Sequence, residues 1–361
     1  MDAGSPRERP DASPVRDLDE AARLASAAAP TQAIRIGADR HPSAPLPAVG
    51  PGVGAGVRAP LGGSGIDVFP LMLGGAEFGW NIDRAAAFAV LDHYAELGGN
   101  ALHTADSFGA GRSELILGQW AASRGVRDDI VLAVRVGGHP DNPGLGSVNL
   151  VRAVEASLER LATDRMDVLY LDASSSPPGS LEDALATAEW LVETGKVRAV
   201  GAYGLAADQL VEARILSSAG YPRLEAIDIP YSLMRRADYE GDLRFVAGAQ
   251  GLAVTPSHAL GHGFLSGVHR SRLGIGHSVR AEQLSKLMNR RGTKVLRALD
   301  TVAAELELPH AAVAIAWLLA QRGVVAPIVN AFTPAHVDEL MRGVGVLLGR
   351  AHRAELARAA D

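Results

Sequence analysis

The sequence predicts a parallel (β/α)8 barrel that follows a small β-hairpin, and three observations lead to this fold class. From Val57 onward, short apolar runs with strand character alternate with longer segments of helical periodicity. About eight such strand-then-helix units can be counted, which is the number that closes a parallel barrel. The chain has 361 residues, and a single barrel of this type can use that length alone.

The first segment, residues 1–56, has a different composition from the rest of the chain. Pro, Ala, Gly and Ser dominate it, and such a stretch buries too little apolar surface to offset the entropy lost on ordering. We therefore expect a disordered tail over residues 1–56 and a barrel domain over residues 57–361. The first ten residues are charged and rich in proline, so they do not predict a secretory signal.

The barrel elements follow from the apolar pattern, taken in chain order. The hairpin is placed at Leu61–Ile66 by a family resemblance and not by the apolar pattern. Apolar residues at helical spacing, such as Leu181, Leu185, Ala188 and Val192 after a capping-box-like start at Ser180, predict the intervening helices. The predicted barrel strands are Leu71–Leu73, Asn100–His103, Ile130–Val136, Met166–Leu171, Val197–Ala202, Leu224–Ile229, Leu252–Pro256 and Val324–Val329.

Composition excludes several classes of function. The net charge of −6 gives no basic surface for nucleic acid or an anionic membrane, and no apolar run is long enough to span a bilayer. The chain has no cysteine, which removes disulfides and thiolate chemistry and fits a reducing cytoplasm. We expect a cytoplasmic protein whose partner is a small-molecule substrate; the sequence leaves the oligomeric state open.

Several motifs carry a resemblance to a known family. The stretch Asn100–Gly109, the tetrapeptide Gly111–Glu114, and the segments Gly195–Ala202, Gly263–Gly267 and Pro334–Leu340 occur in the order and phase seen in aldo-keto reductases. The chain resembles this family from about Val57 to about Leu348. The resemblance implies the barrel fold, an NADP cofactor, and a catalytic set of aspartate, tyrosine, lysine and histidine in which the tyrosine donates a proton to the substrate carbonyl.

All four of those catalytic positions carry other residues in this chain. By the resemblance, His103 stands at the aspartate, Phe108 at the tyrosine, Arg135 at the lysine and Asp172 at the histidine. Phe108 has no proton to give, and Arg135 keeps a positive charge but stays permanently protonated. We expect His103 and Asp172 to form an acid–base pair, with a structural ion pair between Asp172 and Arg135 as the alternative.

The positions that hold the cofactor in the family have also changed. Tyr203 and Asp228 align with residues that bind the nicotinamide amide, and Ser257 aligns with the aromatic that stacks on the ring. Asn330 and Phe332 replace small residues near the adenosine phosphate. These differences predict that no cofactor is bound, with NADP as the alternative.

The predicted site residues lie at the carboxyl ends of the strands, the face on which barrel enzymes build their sites. We expect no metal site and solvated histidines in the loop that holds His258 and His262. The predicted catalytic residues are His103, Asp172, Arg135 and Tyr203, and the predicted substrate-binding residues are Phe108, Asp228, His258 and Trp80.

Three functions of different classes remain open on this sequence. The first is acid–base chemistry without hydride on a small organic substrate, such as elimination, isomerisation or cyclisation, in which Arg135 clamps an anion. The second is an NADP-dependent oxidoreductase with a non-standard proton donor, and the third is a catalytically dead binding or scaffold protein. The Ala-, Arg- and Gly-rich composition is similar to that of proteins from high-GC genomes, which implies a role in specialised metabolism.

Overall fold

A computed structural model describes residues 57–175, 181–271, 275 and 278–361. The predicted tail over residues 1–56 and the predicted helix start at Ser180 lie outside the described residues. Within the described part, eight parallel strands form one sheet and helices follow them along the chain, which confirms the predicted (β/α)8 barrel.

A two-stranded antiparallel hairpin precedes the barrel and pairs Ala59 with Val68. The barrel strands are short and almost entirely buried, as expected for a parallel sheet covered by helices. In chain order the strands are β1 Ala59–Pro60, β2 Asp67–Val68, β3 Met72–Gly74, β4 Ala101–Ala105, β5 Val131–Val136, β6 Met166–Asp172, β7 Val197–Tyr203, β8 Leu224–Pro230, β9 Ala253–Ser257 and β10 Ile328–Val329.

Most of the described helices bury one face against the barrel and expose the other, whereas residues 311–318 of the helix His310–Leu319 are all buried. In the helix over Leu181–Glu193 the inner stripe includes Leu181, Leu185 and Ala188 as predicted, whereas Val192 is exposed. In chain order the described helices are α1 Arg84–Glu96, α2 Arg112–Arg124, α3 Ser147–Leu161, α4 Leu181–Glu193, α5 Ala207–Ser218, α6 Asp242–Gln250, α7 Ala281–Leu287, α8 Arg290–Leu306, α9 His310–Leu319, α10 Pro334–Met341 and α11 Arg350–Ala360.

The strand order is β10-β3-β4-β5-β6-β7-β8-β9, so consecutive strands are neighbours around the barrel. The ring closes between β9 and the residues before β10, where Val254 N donates to Gly323 O and Val325 N donates to Val254 O, both at 2.9 Å. The predicted strand Val324–Val329 is therefore split. Its first half bonds to β9, and only Ile328–Val329 pairs with β3.

The barrel interior below the carboxyl end is filled by side chains. Tyr170 of β6 crosses this interior, and its hydroxyl is 2.9 Å from Thr255 Oγ1 of β9. Gly201 of β7 makes room for the ring, because a Cβ at this position would lie 2.8 Å from two of its carbons. Tyr170 is wholly buried, so it forms a rigid layer directly beneath the candidate site.

A buried carboxylate ties three strands together near the amino end of the sheet. Asp167 of β6 accepts hydrogen bonds from Leu132 N at 2.9 Å and from Arg198 Nη1 at 2.8 Å, and it pairs with Arg127 Nη1 at 3.0 Å. Its side chain is buried. The carboxylate therefore satisfies a strand amide and two guanidinium groups at once.

We expect Asp167→Ala to destabilise the fold by about 3–5 kcal/mol, because it leaves the partly buried Arg127 charge and the Leu132 amide without their partner. Urea unfolding followed by circular dichroism measures this loss. Asp164→Ala is the matched control, since Asp164 is exposed and its pairing with Arg165 is long, at 3.6 Å. The control should change stability by less than about 0.5 kcal/mol. Equal losses in the two variants would show that the Asp167 contacts do not stabilise the barrel.

Among the described residues, no single helix is long and apolar enough to cross a membrane. Helices α8 and α9 pass that test only as a pair, and they are bent by 94° at the break between them.

Candidate active site

A cavity of about 770 Å³ opens at the carboxyl end of the barrel, a size typical of small-molecule sites. Its floor is formed by His103, Phe108 and Arg135, and its wall by the loop after β9 and the start of α10. Polar and apolar side chains both line it. The cavity is also lined by Asn81, Ser257, His258, His262, His269, Arg280, Asn330, Phe332 and His336.

His103 lies in the middle of β4 and is 2% exposed. Its ring is 6.0 Å from the Tyr170 ring and 6.1 Å from the Phe108 ring, with edge-to-face geometry. Within the described part of the chain, neither ring nitrogen has a hydrogen-bond partner. Burial, together with the nearby Arg135 charge, lowers the pKa of His103 to about 3. The imidazole is therefore neutral at physiological pH, with one N–H to donate.

Asp228 of β8 is fully buried beside His103. Its Oδ2 lies 3.6 Å from His103 Nε2 and 3.7 Å from Arg135 Nη1. No described residue donates a hydrogen bond of full geometry to either carboxylate oxygen, but the hydroxyl and the backbone N–H of Ser257 lie near enough to lower the pKa of Asp228. Burial raises the pKa of Asp228 to about 6, and Arg135 opposes this rise. A buried carboxyl group with a pKa near 6 can hold a proton close to neutral pH.

Arg135 of β5 is held between two aromatic rings. Its Cζ lies 4.2 Å from the centre of the Tyr203 ring and 5.5 Å from that of Phe108. Its Nε is 3.5 Å from Asp172 Oδ2. Arg135 therefore contacts two aromatic rings and lies near two carboxylates, those of Asp172 and Asp228, so its charge is fixed in position and largely balanced.

The structure places Asp172 differently from the expected acid–base pair. Asp172 lies against Arg135 and accepts hydrogen bonds from the backbone N–H and the hydroxyl of Ser174. The carboxylate within 4 Å of His103 is Asp228, which had been predicted to bind substrate. The two carboxylates flank the same residue, because Asp172 of β6 and Asp228 of β8 both pair in register with Tyr203 of β7, and it is Asp228 that comes within 4 Å of His103.

The other predicted residues fall into three places. Phe108 and His258 line the cavity. Tyr203 is half-buried behind Arg135, and burial raises the pKa of its phenol. Trp80 lies in the loop after β3 with 65% of its surface exposed. Tyr203 therefore packs on the guanidinium, and the structure brings His103, Phe108, Arg135, Tyr203, Asp172 and Asp228 into one cluster.

A second set of polar groups lines the cavity on the side of β9 and β10. Ser257 Oγ and Asn330 Oδ1 are buried, and no described residue forms a hydrogen bond with them. The Asn330 side chain occupies space beside Gly74, where a Cβ would collide with its oxygen. Three basic side chains, Arg280, His269 and His336, line the same cavity. This wall therefore offers hydrogen-bonding groups and positive charge to a bound ligand.

The loop after β9 begins with an unusual backbone. His258 and His262 both have positive φ, 53° and 59°, a region that costs energy for any residue but glycine. Their rings lie 4.8 Å apart. Desolvation and the neighbouring His262 ring lower the pKa of His258 to about 4, although His258 is exposed and His262 is half-buried. Within the described residues, no three His, Asp or Glu side chains are grouped to hold a metal.

One feature of the rim has no signal in the sequence. Glu77, in the loop after β3, is fully buried and pairs with Arg280, which comes 203 positions later. Asn81 donates a hydrogen bond to the other oxygen of Glu77. Because Asn81 and Arg280 also line the cavity, this contact joins two sides of its rim.

Comparison with known proteins agrees with the fold. The model of the Aldo/keto reductase family matches residues 70–354. A norsolorinic acid reductase of Emericella nidulans is 32% identical over 315 residues, which cover 81% of this chain and 78% of that protein. A protein named as an aryl-alcohol dehydrogenase of Saccharomyces cerevisiae is 28% identical over 315 residues, or 79% and 81% of the two chains.

A bacterial protein is similar over most of its length as well. An oxidoreductase of Bacillus subtilis is 29% identical over 307 residues, which cover 80% of this chain and 91% of the relative. The relatives are named as reductases, a dehydrogenase and an oxidoreductase, which supports oxidoreductase chemistry. Because the family model spans most of the barrel, this chain belongs to the aldo/keto reductase family.

Proposed function

We propose that this protein is an NADP-dependent oxidoreductase that interconverts the carbonyl and alcohol forms of a small neutral aromatic compound, with a proton donor other than tyrosine. The observation that carries the proposal is the cluster of His103, Asp228 and Arg135 at the floor of the cavity. These groups can hold an oxygen and supply a proton at the place where the family reduces carbonyls. Family membership and the names of the relatives favour this function over acid–base chemistry without hydride.

The cavity wall fits a dinucleotide cofactor. Ser257 Oγ and Asn330 Oδ1 are buried polar atoms that would gain partners from a bound ligand, which is favourable because unpaired buried polar groups cost free energy. His269, His336 and Arg280, whose guanidinium also pairs with Glu77, supply hydrogen-bond donors for phosphate groups. Once bound, the nicotinamide would exchange a hydride with the substrate carbon. The sequence predicts that no cofactor is bound and gives NADP as the alternative. We favour the NADP alternative.

The residues of the floor are suited to hold the substrate oxygen. Arg135 presents fixed N–H donors at the cavity floor, and His103 is a neutral imidazole that can donate one hydrogen bond. Donors that are fixed before the reaction stabilise the negative charge that develops on a carbonyl oxygen as its carbon is reduced. Phe108 supplies an apolar surface beside them in place of a phenol.

The charge of the floor favours a neutral substrate. Arg135 lies within 4 Å of both Asp172 and Asp228, so the cluster carries no net positive charge. The sequence predicts that Arg135 clamps an anionic substrate. The position of Arg135 between Asp172 and Asp228 argues against that role, because its charge is already balanced. The aromatic character of the substrate is carried over from the relatives named as an aryl-alcohol dehydrogenase and norsolorinic acid reductases.

The test is direct binding followed by hydride exchange. NADPH titrated into the purified protein should enhance or shift cofactor fluorescence, and absorbance should report oxidation of NADPH with a panel of aryl aldehydes and ketones. Asn330→Ala should weaken NADPH binding roughly 3- to 10-fold through loss of one hydrogen bond. Asn149→Ala is the matched control, because Asn149 lies on α3 and bonds to Pro143 O away from the cavity. Absence of binding at millimolar NADPH would refute the proposal.

A further inference from the structure

We propose that Asp228 is the proton reservoir of the reaction and that its proton reaches the substrate oxygen through His103. The proposal rests on the oxidoreductase function proposed above. In the family a tyrosine at the position of Phe108 donates this proton. Here the proton would come from Asp228, which lies beneath the cavity floor.

The geometry of three groups supports this assignment. His103 lines the cavity, whereas Asp228 lies behind it and is fully buried, so a proton on Asp228 can reach a bound substrate only through another group. The Asp228 Oδ2 to His103 Nε2 distance is 3.6 Å. A movement of roughly half an ångström brings this pair into hydrogen-bond range, and catalytic hydrogen bonds commonly tighten when substrate binds.

The second observation is that both groups lack other partners. Among the residues that the structure describes, none forms a hydrogen bond with His103 Nδ1 or Nε2, and none reaches the oxygens of Asp228 with full hydrogen-bond geometry, although Ser257 lies close enough to lower the pKa of Asp228. Asp172 differs, since Ser174 donates two hydrogen bonds to it. A buried donor and acceptor without other partners cost free energy unless they serve each other or a ligand. Asp228 and His103 meet this condition as a pair.

The proton transfer balances as follows in the direction of reduction. A bound nicotinamide would supply the hydride to the carbonyl carbon, and the carbonyl oxygen would then take the proton from His103 Nδ1. Both ring nitrogens of His103 are buried, so this step requires substrate binding to bring Nδ1 into contact with the cavity. His103 Nε2 takes the proton of the Asp228 carboxyl group at the same time. Asp228 is left as a carboxylate beside Arg135, which stabilises its charge. A solvent proton that enters through the cavity restores the starting state through the same ring.

Asp228 protonation therefore sets which nitrogen of His103 carries the hydrogen. With Asp228 protonated, its O–H donates to Nε2 and the hydrogen lies on Nδ1; with Asp228 ionised, Nε2–H points to the carboxylate. Burial places the pKa of Asp228 near 6, which puts this change in an accessible range. The titratable and charged groups around Asp228 are His103 of β4, Arg135 of β5, Tyr170 and Asp172 of β6, and Tyr203 of β7.

The sharpest test is the pH dependence of both reaction directions. In the wild type, the reduction rate should fall as pH rises through about 6, and the oxidation rate should rise over the same range. Asp228→Asn keeps the size of the side chain but cannot hold the proton. It should lower the reduction rate at pH 5.5 by roughly 100-fold and remove this pH dependence, with NADPH affinity unchanged. Asp172→Asn is the matched control and should keep the change but move it to lower pH, because the Asp172 charge helps to raise the pKa of Asp228.

Nitrogen-15 NMR of the histidine rings supplies a readout that does not need turnover. His103 is assigned as the signal lost in His103→Gln. In the wild type, the hydrogen of the His103 ring should move from Nδ1 to Nε2 as pH rises from 5 to 7. The nitrogen-15 shift of Nδ1 should therefore change to the value of an unprotonated nitrogen, and that of Nε2 to the value of a protonated one. This change should be lost in Asp228→Asn. A His103 ring whose shifts stay constant over that range would overturn the proposal, even if Asp228→Asn fails to fold.

The outcomes separate this proposal from the function on which it rests. If NADPH exchanges hydride with an aryl carbonyl but Asp228→Asn keeps the change near pH 6, the oxidoreductase function stands and the role of Asp228 is wrong. If no hydride exchange is found with any nicotinamide cofactor, the proposed function fails and the assignment of Asp228 to that reaction fails with it. A change in the ring shifts would then still support proton sharing between Asp228 and His103.

Discussion

Arg135→Met should lower the rate of hydride exchange by roughly 100- to 1000-fold, because it removes the fixed cation that faces the substrate oxygen. The same change should destabilise the fold by about 3 kcal/mol, since Asp172 and Asp228 lose their shared cation. The stability loss stays at the lower end of the range for broken buried pairs. Asp228 can take up a proton and become neutral, whereas Asp172 keeps the hydrogen bonds from Ser174.

Two measurements check this expectation, namely steady-state turnover with an aryl carbonyl and urea unfolding. Arg358→Met is the surface control, because Arg358 is 77% exposed and only pairs with Glu355 on its own helix; it should change neither quantity appreciably. Arg135→Lys should recover more stability than turnover, since lysine restores the charge without the planar set of donors. If Arg135→Met lowers turnover by less than tenfold, Arg135 does not contact the substrate oxygen.

His103→Ala should lower the reduction rate by roughly 100- to 10,000-fold, the range expected for loss of a proton-transfer group. It removes the only described ring that lines the cavity and also lies within 4 Å of Asp228. The barrel should persist by circular dichroism, because helices and the strand ladder do not depend on this side chain. NADPH affinity should also persist, since Ser257 and Asn330 are on another wall.

The matched control for His103→Ala is His352→Ala, which alters a surface histidine paired with Glu305 on helix α8. Turnover in that variant should equal that of the wild type. If His103→Ala also keeps full turnover on a confirmed substrate, proton transfer occurs elsewhere. His258 and His262, which line the same cavity, then become the next residues to replace.

The barrel could be predicted from the sequence because each strand is a short apolar run that is buried on both faces, and each helix has one apolar stripe. The predicted strand Ile130–Val136 differs from β5 by one residue. The last strand was predicted less well. The apolar run Val324–Val329 predicts a single strand. The structure divides it between two neighbours, since Val325 bonds to β9 and Ile328 pairs with β3.

The candidate site could be predicted only in part. Position along the chain shows which strand carries His103, Arg135, Asp172 or Asp228. It does not show which side chains meet across the barrel, because Asp172 and Asp228 both pair in register with Tyr203 and yet have different neighbours. Asp228 lies near His103 and Arg135, whereas Asp172 lies near Arg135 alone of these two. The contact between Glu77 and Arg280 joins residues that no local pattern connects.

The buried pair of Asp228 and His103 also changes how folding depends on acidity. Folding raises the pKa of Asp228 from 3.8 to about 6 and lowers that of His103 from 6.5 to about 3. Between about pH 4 and 6, the unfolded chain holds one proton on the imidazole and the folded protein holds one on the carboxyl group. The folded carboxyl gains a proton in this window while the folded imidazole loses one, so the two contributions to the pH slope of stability cancel.

Folding therefore moves a proton from one residue to the other without exchanging any with the solvent. Above about pH 6.5 the buried carboxylate lowers stability, and below about pH 3 both groups bind protons in either state. A barrel with this pair of titratable groups at its centre can in this way tolerate mild acid. Replacing Asp228 alone would remove that tolerance, because the unfolded chain would then bind a proton at His103 that the folded protein does not, and stability would fall below about pH 6.5. Replacing His103 alone would have the opposite effect, because the Asp228 carboxyl group binds its proton more tightly in the folded protein.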